Sequence, residues 1–407
     1  LIEAEIELTG HIIDSMILPK IFGAIYDLNG EFEVLEFRIG KTKNEYSHAH
    51  IRIFGKDRQH LDMILAELQK LGAVVTEKAV DAELIPAPDD GVLPDNFYST
   101  TNHPTFIMIN GEWIKTENQE MDKVIVIREG KPHSIPMRKV KKGELVVVGN
   151  KGIKVIPPER SRKKEVFSFM SSAISSEKPT LSLTRMIAKE MFELRKKGGK
   201  IVVVPGPAVI HAGASAALSE LIRMGYVQAL LTGNAVAVHD VENSLYGTSL
   251  GMDLKTLENY EGGHRHHLMA INVIRKAGSI RDAVEKGILK SGIMYECIRN
   301  NVELVLAGSI RDDGPIPDVI TDVMEAQDAM RKALRNTDLV LMLATTLHSI
   351  AVGNMLPSTV KTICIDINPA VVTKLTDRGT YAIGIISDVG AFLPRLVQEL
   401  WQLEGTV

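Results

Sequence analysis

The chain has 407 residues, 45% of them apolar and 24% charged, with a formal net charge of −4. That length exceeds one ordinary hydrophobic core and suits two or three domains of a soluble globular protein. The mild acidity offers no electrostatic footprint for nucleic acid or an anionic membrane, and no apolar run reaches the roughly 18 residues of a membrane span. The two cysteines, Cys297 and Cys364, sit in apolar patterns, which argues against a disulfide framework and for a reducing cytoplasm. The first residues, LIEAEIELTGHI, are charged and alternating, unlike a signal peptide.

Residues 1–80 read as a small α+β unit. EAEIELTGHI alternates like a half-buried strand, and MILPKIFGAIYDLNG gives a helix closed by Asn29 and Gly30. EFEVLEFRIG and HAHIRIFG alternate again, DRQHLDMILAELQKLG is an amphipathic helix with Asp57 as its cap and Gly72 at its end, and AVVTEKAV is a last strand. The order β-α-β-β-α-β predicts a ferredoxin-like domain. Residues 81–164 are rich in Pro, Gly and short β-like runs (TFIMINGEW, KVIVIRE, ELVVVGN, GIKVIPP), which predicts a small β-rich module, a barrel or sandwich fragment. It ends in a basic stretch, ERSRKKE, read as a solvated linker.

Residues 165–407 predict a larger α/β unit. KIVVVPGPAVIHAG is its first strand and turn, followed by the helix GASAALSELIRMG. Five further apolar runs each end in a polar, Gly- or Pro-bearing loop: VQALL with TGNAVAVHD, ELVLA with GSIRDDGPIPD, LVLML with ATTLHS, TICI with DINP, and AIGII with SDVGAF. Buried strands with crossover helices between them predict a parallel sheet. Two long helical stretches, GGHRHHLMAINVIRKAG and SIRDAVEKGILKSGIMYECIRNN, fall between its second and third strands. In such sheets the ligand lies outside the carboxyl ends of the strands. The loops there carry Asn234, Asp312, Asp313, Thr345, His348, Asp366, Asn368 and Asp388, a polar set suited to ribose hydroxyls and phosphates. A dinucleotide is therefore expected.

The first turn, PGPAVIHAGAS, lacks G-x-G-x-x-G spacing, so an ordinary Rossmann phosphate loop is not supported; helix starts in TGNA or SDVG offer backbone N–H groups instead. Asp366 at the end of TICI is placed to accept hydrogen bonds from a ribose, or to cap the next helix, a task Asn368 fits equally. Asp388 reads as a cap or turn residue. Gly233 lets the backbone at Asn234 and Ala235 pass close to a ligand, or simply turns the chain. The Asp312–Asp313 pair suits an amine or a metal, but a turn that bonds its own backbone is the simpler reading. His264 and His267 are helix neighbours in GGHRHHLM. Zinc would need a third ligand such as His211 or His239, and no metal site is expected. His264 and His266 are acid–base candidates, with Asp240 and Glu242 behind them.

Five strings, TTNHPTFIMINGEW, VVVPGPAVIHAGASAALSELI, LLTGNAVAVHDVENSLYGTSLGMD, GGHRHHLMAINVIRKAGSI and LAGSIRDDGPIPDV, resemble the archaeal ornithine cyclodeaminase family. These proteins carry the conserved region named after lysine-ketoglutarate reductase/saccharopine dehydrogenase. A similar region forms the C-terminal part of cyanobacterial arginine dihydrolase/ornithine cyclodeaminase enzymes. The resemblance implies a Rossmann-like domain of the deoxyhypusine-synthase type that binds NAD, and no arginine hydrolysis. It places NAD contacts at Asn234, Ala235, Asp312 (with Asp313 as neighbour), Ala344, Thr345, Leu347, His348, Asp366, Ile367, Asn368, Asp388 and Val389. It implies conversion of L-ornithine to L-proline and ammonia, with tightly held NAD reduced and reoxidised within each cycle. A base is then needed, with His264, Asp240 and Asp312 as candidates, as well as a holder for the substrate carboxylate. Arg265 and the NHPT loop, Asn102 to Thr105, are candidates for the holder. A homo-oligomer is expected. An amino acid (saccharopine-like) dehydrogenase and a non-catalytic NAD-binding regulator remain alternatives.

Overall fold

Apolar periodicity of two residues builds the first sheet. The structure, a computed structural model, describes residues 2–13, 15–42, 45–75, 80–157, 180–249, 252–253, 265–312, 314–377 and 382–405. The chain divides into two units, residues Leu1–Ser171 with Asn354–Thr359, and Ser172–Gly353 with Val360–Val407. The first unit begins with β1 (Ile2–Gly10), α1 (Ile17–Asp27), β2 (Glu31–Arg38), β3 (Ser47–Gly55), α2 (Arg58–Lys70) and β4 (Val74–Val75). The sheet runs β2-β3-β1-β4, each pair antiparallel, which is the ferredoxin-like order. Central β3 keeps strict alternation, and its Ile51 and Ile53 join Ile6 and Leu8 of β1 and Leu61, Ile64 and Leu68 of α2 in one core. Asp57 caps α2, accepting from the His60 N–H at 2.9 Å.

Strand β2 departs from expectation. Its sequence alternates, yet it lies at the sheet edge, and Val34, Leu35 and Phe37 are exposed. A register shift between Val34 and Glu36 takes up one extra residue and keeps Phe32, Val34 and Phe37 opposite the buried Ile53, Ile51 and Ala49 of β3. Of the AVVTEKAV strand, residues 76–79 lie outside the described residues, as does the basic stretch 159–165.

The rest of this unit holds β5 (Glu83–Pro86), β6 (Thr105–Ile109), β7 (Glu112–Lys115), β8 (Val124–Arg128), β9 (Lys131–Ile135), β10 (Leu145–Val148) and β11 (Ile153–Val155). They form two antiparallel sheets, β5-β10-β8-β9 and β11-β6-β7. Ile107 of β6 and Val155 of β11 share a core with Ile125 of β8 and Val147 of β10, so the two sheets pack as a small sandwich.

The second unit comprises α3 (Thr180–Lys196), β12 (Ile201–Pro205), α4 (Ala208–His211), α5 (Ser215–Arg223), β13 (Ala229–Gly233), α6 (Asn234–Tyr246), β14 (Thr248–Ser249), β15 (Met252–Asp253), α7 (His266–Ala277), α8 (Ile280–Glu285), α9 (Ile293–Arg299), β16 (Glu303–Ala307), α10 (Val323–Ala333), β17 (Leu339–Leu343), α11 (Leu347–Met355), β18 (Lys361–Asp366), α12 (Pro369–Asp377), β19 (Ala382–Ile386) and α13 (Val389–Glu404). Its six-stranded sheet runs β16-β13-β12-β17-β18-β19 with every pair parallel. Counted from β12, the order is 3-2-1-4-5-6, the doubly wound arrangement whose switch point lies between β12 and β17. Both of those strands are wholly buried, as a sheet covered on both faces requires. The stretch read as one helix, SIRDAVEKGILKSGIMYECIRNN, is two, α8 and α9. Gly287 and Gly292 between them have φ of 65° and 99°, left-handed values that end one helix and precede the next. No helix among the described residues is long and apolar enough to cross a membrane.

Candidate active site

The crevice at the switch point is made by loops that touch. A Cβ added to Gly206, after β12, would lie 2.0 Å from the carbonyl oxygen of Ala344 and 3.0 Å from the Thr345 Cβ, after β17. Only glycine lets these two loops close on each other. Ala344 itself is held at φ 48°, a left-handed conformation that costs an L-residue roughly 1–2 kcal/mol, and strain of this kind gathers at ligand clamps. Gly233, after β13, repeats the device. A Cβ there would stand 3.0 Å from the His348 ring and 3.6 Å from the Ala307 carbonyl. His348 is therefore packed against the turn before Asn234, and burial pushes its imidazole pKa down.

Three aliphatic side chains are left bare at these strand ends. Ile310, Leu347 and Ile367 are exposed by 107, 77 and 75%, more than any other large hydrophobic residue described in this unit. Apolar faces beside fixed polar groups are what a ring-bearing ligand needs. The first turn of α6, at Asn234 and Ala235, has no side-chain cap and no acidic residue, so its N–H groups fit an anion.

The polar candidates separate by what they bond. Asn234 is buried, and its Oδ1 accepts from the Ile316 N–H at 3.2 Å, tying the loop after β16 to α6. Asp312 closes its own turn, accepting from the Ser309 N–H at 2.8 Å, and Asp313 lies outside the described residues. Asn368 takes the capping task at α12, accepting from the Ala370 N–H at 3.0 Å. Asp366 uses Oδ1 on the Asn368 N–H at 2.8 Å, and no protein partner is found for its Oδ2 among the described residues. Asp388 caps α13, accepting from the Gly390 N–H at 3.1 Å, with buried Val389 as the first helical residue.

Asp240, a base candidate, anchors α9. It is fully buried, and its two oxygens accept from the Ile293 and Met294 N–H groups, each at 2.8 Å. Burial pushes its pKa up to about 6 against the pull of those two bonds. A side chain on Gly292 would collide with it, at 2.8 Å from Oδ2. His264, the other histidine candidate, lies outside the described residues. Arg265 is exposed at the start of α7.

A connected set of side chains runs along α6. His239 Nδ1 is 3.2 Å from Glu242 Oε2, and the Thr248 hydroxyl donates to Glu242 Oε1 at 3.0 Å. The same Thr248 oxygen is 2.8 Å from His266 Nδ1, and the His266 ring stacks on Tyr246 at 4.8 Å between centroids. His211 faces His239 with ring centroids 5.0 Å apart, and its Nδ1 is 2.7 Å from the Ser249 hydroxyl. Glu242 and Thr248 are fully buried. Burial and the neighbouring His239 lower the pKa of His211, with Glu242 opposing them. Sequence reading named the histidines and Glu242 without joining them, and passed over Thr248. Among the described residues no group of three or more His, Cys, Asp or Glu side chains could hold a metal ion.

The NHPT loop belongs to the first unit. Asn102 is completely buried, yet among the described residues neither its Nδ2 nor its Oδ1 has a hydrogen-bond partner. Its backbone oxygen accepts from the Ser358 N–H at 2.8 Å, and the Ser358 hydroxyl is likewise buried without a partner. His103, alongside, has its pKa lowered to about 4, first by burial and then by Lys20. Thr105 is fully buried and gives its hydroxyl to the His103 carbonyl at 3.0 Å, so it shapes the loop.

These features define a Rossmann-fold protein with a ligand crevice at the switch point. Comparison with known proteins makes the assignment specific. Residues 185–396 match the Rossmann-fold C-terminal region of ArgZ-like arginine dihydrolases, residues 104–184 the first C-terminal region of the same proteins, and residues 3–103 the conserved region of the LOR/SDH bifunctional enzyme. The ornithine cyclodeaminase of Methanocaldococcus jannaschii is 61% identical over 98% of this chain and 96% of its own. The solved structure of ArgZ, an arginine dihydrolase from the ornithine-ammonia cycle in cyanobacteria, superposes with a TM-score of 0.88 at 42% identity over 99% of this chain and 59% of that one. AgrE, a bifunctional arginine dihydrolase/ornithine cyclodeaminase from Nostoc, has been solved as a ternary complex with ornithine and NAD+; it matches with a TM-score of 0.55 at 44% identity, over the whole of this chain and 58% of that one. The chain belongs to the archaeal ornithine cyclodeaminase family.

Proposed function

We propose that this protein is an NAD-dependent ornithine cyclodeaminase that converts L-ornithine to L-proline and ammonia. The observation that carries the reading is identity of 54 to 61% over 98% of the chain with five archaeal proteins of that name. The crevice supports it. Asp366 Oδ2 suits a ribose hydroxyl, the uncapped start of α6 suits phosphate, and Ile310, Leu347 and Ile367 suit the flat rings of NAD. Ala344, Thr345 and His348 line the strained turn between these groups. Asn234, Asp312, Asn368 and Asp388 hold the backbone of the same loops in shape.

Bound NAD supplies a hydride acceptor that is restored within the turnover, so the net reaction needs no external oxidant. The protein's part is positional and protolytic. An ammonium group cannot act as a nucleophile, so a base must take a proton before the δ-nitrogen closes the five-membered ring, and an acid must return one to the departing ammonia. Holding both ends of one substrate makes the closure intramolecular. The NHPT loop, Asn102 to Thr105, is one candidate holder of the amino acid end. Arg265 at the start of α7 is a second carboxylate holder.

Incubation with L-ornithine should yield proline and ammonia in equal amounts with no growth of NADH absorbance. NADH accumulating with substrate would point to a dehydrogenase. Bound NAD with no product from any diamino acid would point to a regulatory role.

A further inference from the structure

We infer that Glu242 is the positioning residue for two imidazoles at once, fixing His239 and His266 in the same tautomer as a paired proton relay. The inference rests on the cyclodeaminase reading for its role and on side-chain geometry for its form. Glu242 has one carboxylate oxygen for each arm: Oε2 is 3.2 Å from His239 Nδ1, and Oε1 accepts the Thr248 hydroxyl at 3.0 Å. A carboxylate can only accept, so His239 must carry its proton on Nδ1. The Thr248 hydroxyl has a single proton, already given to Glu242. Its oxygen can therefore only accept from His266 Nδ1, 2.8 Å away, and His266 is protonated on Nδ1 too. Both rings then carry the basic lone pair on Nε2.

Burial gives this arrangement its force. Glu242 and Thr248 have no solvent exposure and His239 has 9%, so the carboxylate is not screened by water. A buried carboxylate is costly unless its partners are themselves hydrogen-bonded and polar, and two of its partners here are His239 and a threonine bonded to His266. Residues 234 to 246 form one helix, and the turn at Gly247, φ 72°, brings Thr248 back against it. His211, facing His239 at 5.0 Å, is the next group outward and is the more solvent-exposed. The proton removed from the substrate ammonium goes to one Nε2 and is returned to the leaving ammonia, so the protein ends the cycle unchanged.

Glu242→Gln is the decisive variant. A glutamine can keep the Thr248 bond through its oxygen, but its amide nitrogen donates, which forces His239 Nδ1 to become the acceptor and moves its proton to Nε2. The expected result is a fall in kcat of about 10²–10³-fold with KM for ornithine and retained NAD within about two-fold. Thr248→Val, which cuts only the His266 arm, should lower kcat less. Nitrogen-15 spectra of the histidine rings read the tautomers without turnover: wild type should show Nδ1–H for His239 and His266, and Thr248→Val should change His266 alone. If wild type makes no proline, the lyase reading falls while the spectra still decide the tautomers. Full activity in a folded Glu242→Gln protein, or Nε2–H on His239 in wild type, would overturn the inference. Should Glu242→Gln fail to fold, the Thr248→Val spectra decide.

Discussion

Two polar regions of the second unit use the same residue types in opposite ways. At the strand ends, carboxylates and amides bond backbone N–H groups: Asp312 to Ser309, Asn368 to Ala370, Asp388 to Gly390. Along α6, side chains bond side chains, from His239 through Glu242 and Thr248 to His266. The first kind fixes the chain's path around a ligand. The second fixes protonation states. Asp240 shows how close the two lie, since it is two residues from Glu242 on the same helix and yet serves only the backbone of α9.

The largest effect expected from this contrast is on stability. Asp240→Ala leaves the Ile293 and Met294 N–H groups buried without an acceptor and should cost about 3–4 kcal/mol, read as a lowered midpoint in urea unfolding. Glu242→Gln keeps a hydrogen-bonding group of the same volume and should cost far less stability while costing far more activity. If Asp240→Ala were instead folded like wild type and dead, the division between anchoring and relay carboxylates would be wrong.

How much of this was legible follows from how far apart the partners are. The parallel sheet was readable because each buried strand is an uninterrupted apolar run with a loop after it, from VQALL to AIGII. Asp312, Asn368 and Asp388 were readable as local turn or cap residues because their partners lie two or three residues away. The bonds of Asp240 were not readable because its partners are 53 and 54 residues on, at the start of a helix that the sequence joins to its neighbour. The Thr248–His266 bond spans 18 residues, and nothing in the pattern marks a threonine after a glycine turn as a link between a carboxylate and an imidazole. Asn102 was picked from its loop, but that both its amide atoms are buried and unused is a fact of packing alone.

Asn102 sharpens the comparison from the first unit, because it serves neither backbone nor side chain. Two buried amide atoms without partners each carry a desolvation cost of about 1–3 kcal/mol. Asn102→Leu removes both, so the unliganded protein should be no less stable than wild type. KM for ornithine should rise about ten-fold or more, equivalent to at least about 1.4 kcal/mol of lost binding. A residue that only shaped the NHPT loop would show the reverse, loss of stability with KM unchanged.

The smallest effects come from two aspartates in equivalent places, at the ends of β18 and β19, and they separate ligand binding from capping most cleanly. Asp366 accepts from the Asn368 N–H with one oxygen, and no partner for the other is found among the described residues, while the cap of α12 is already filled by Asn368. Asp366→Ala should therefore lower NAD affinity by about 1.5–3 kcal/mol, read by calorimetric titration, with little change in unfolding midpoint. The Asp388 side chain accepts from the first turn of α13 and has no other hydrogen bond among the described residues. Asp388→Ala should cost about 1 kcal/mol of stability and leave NAD affinity within about two-fold. Equal losses of NAD in both variants would mean that the cofactor spans both strand ends, and that helix capping and ligand binding are not separable at this edge of the sheet.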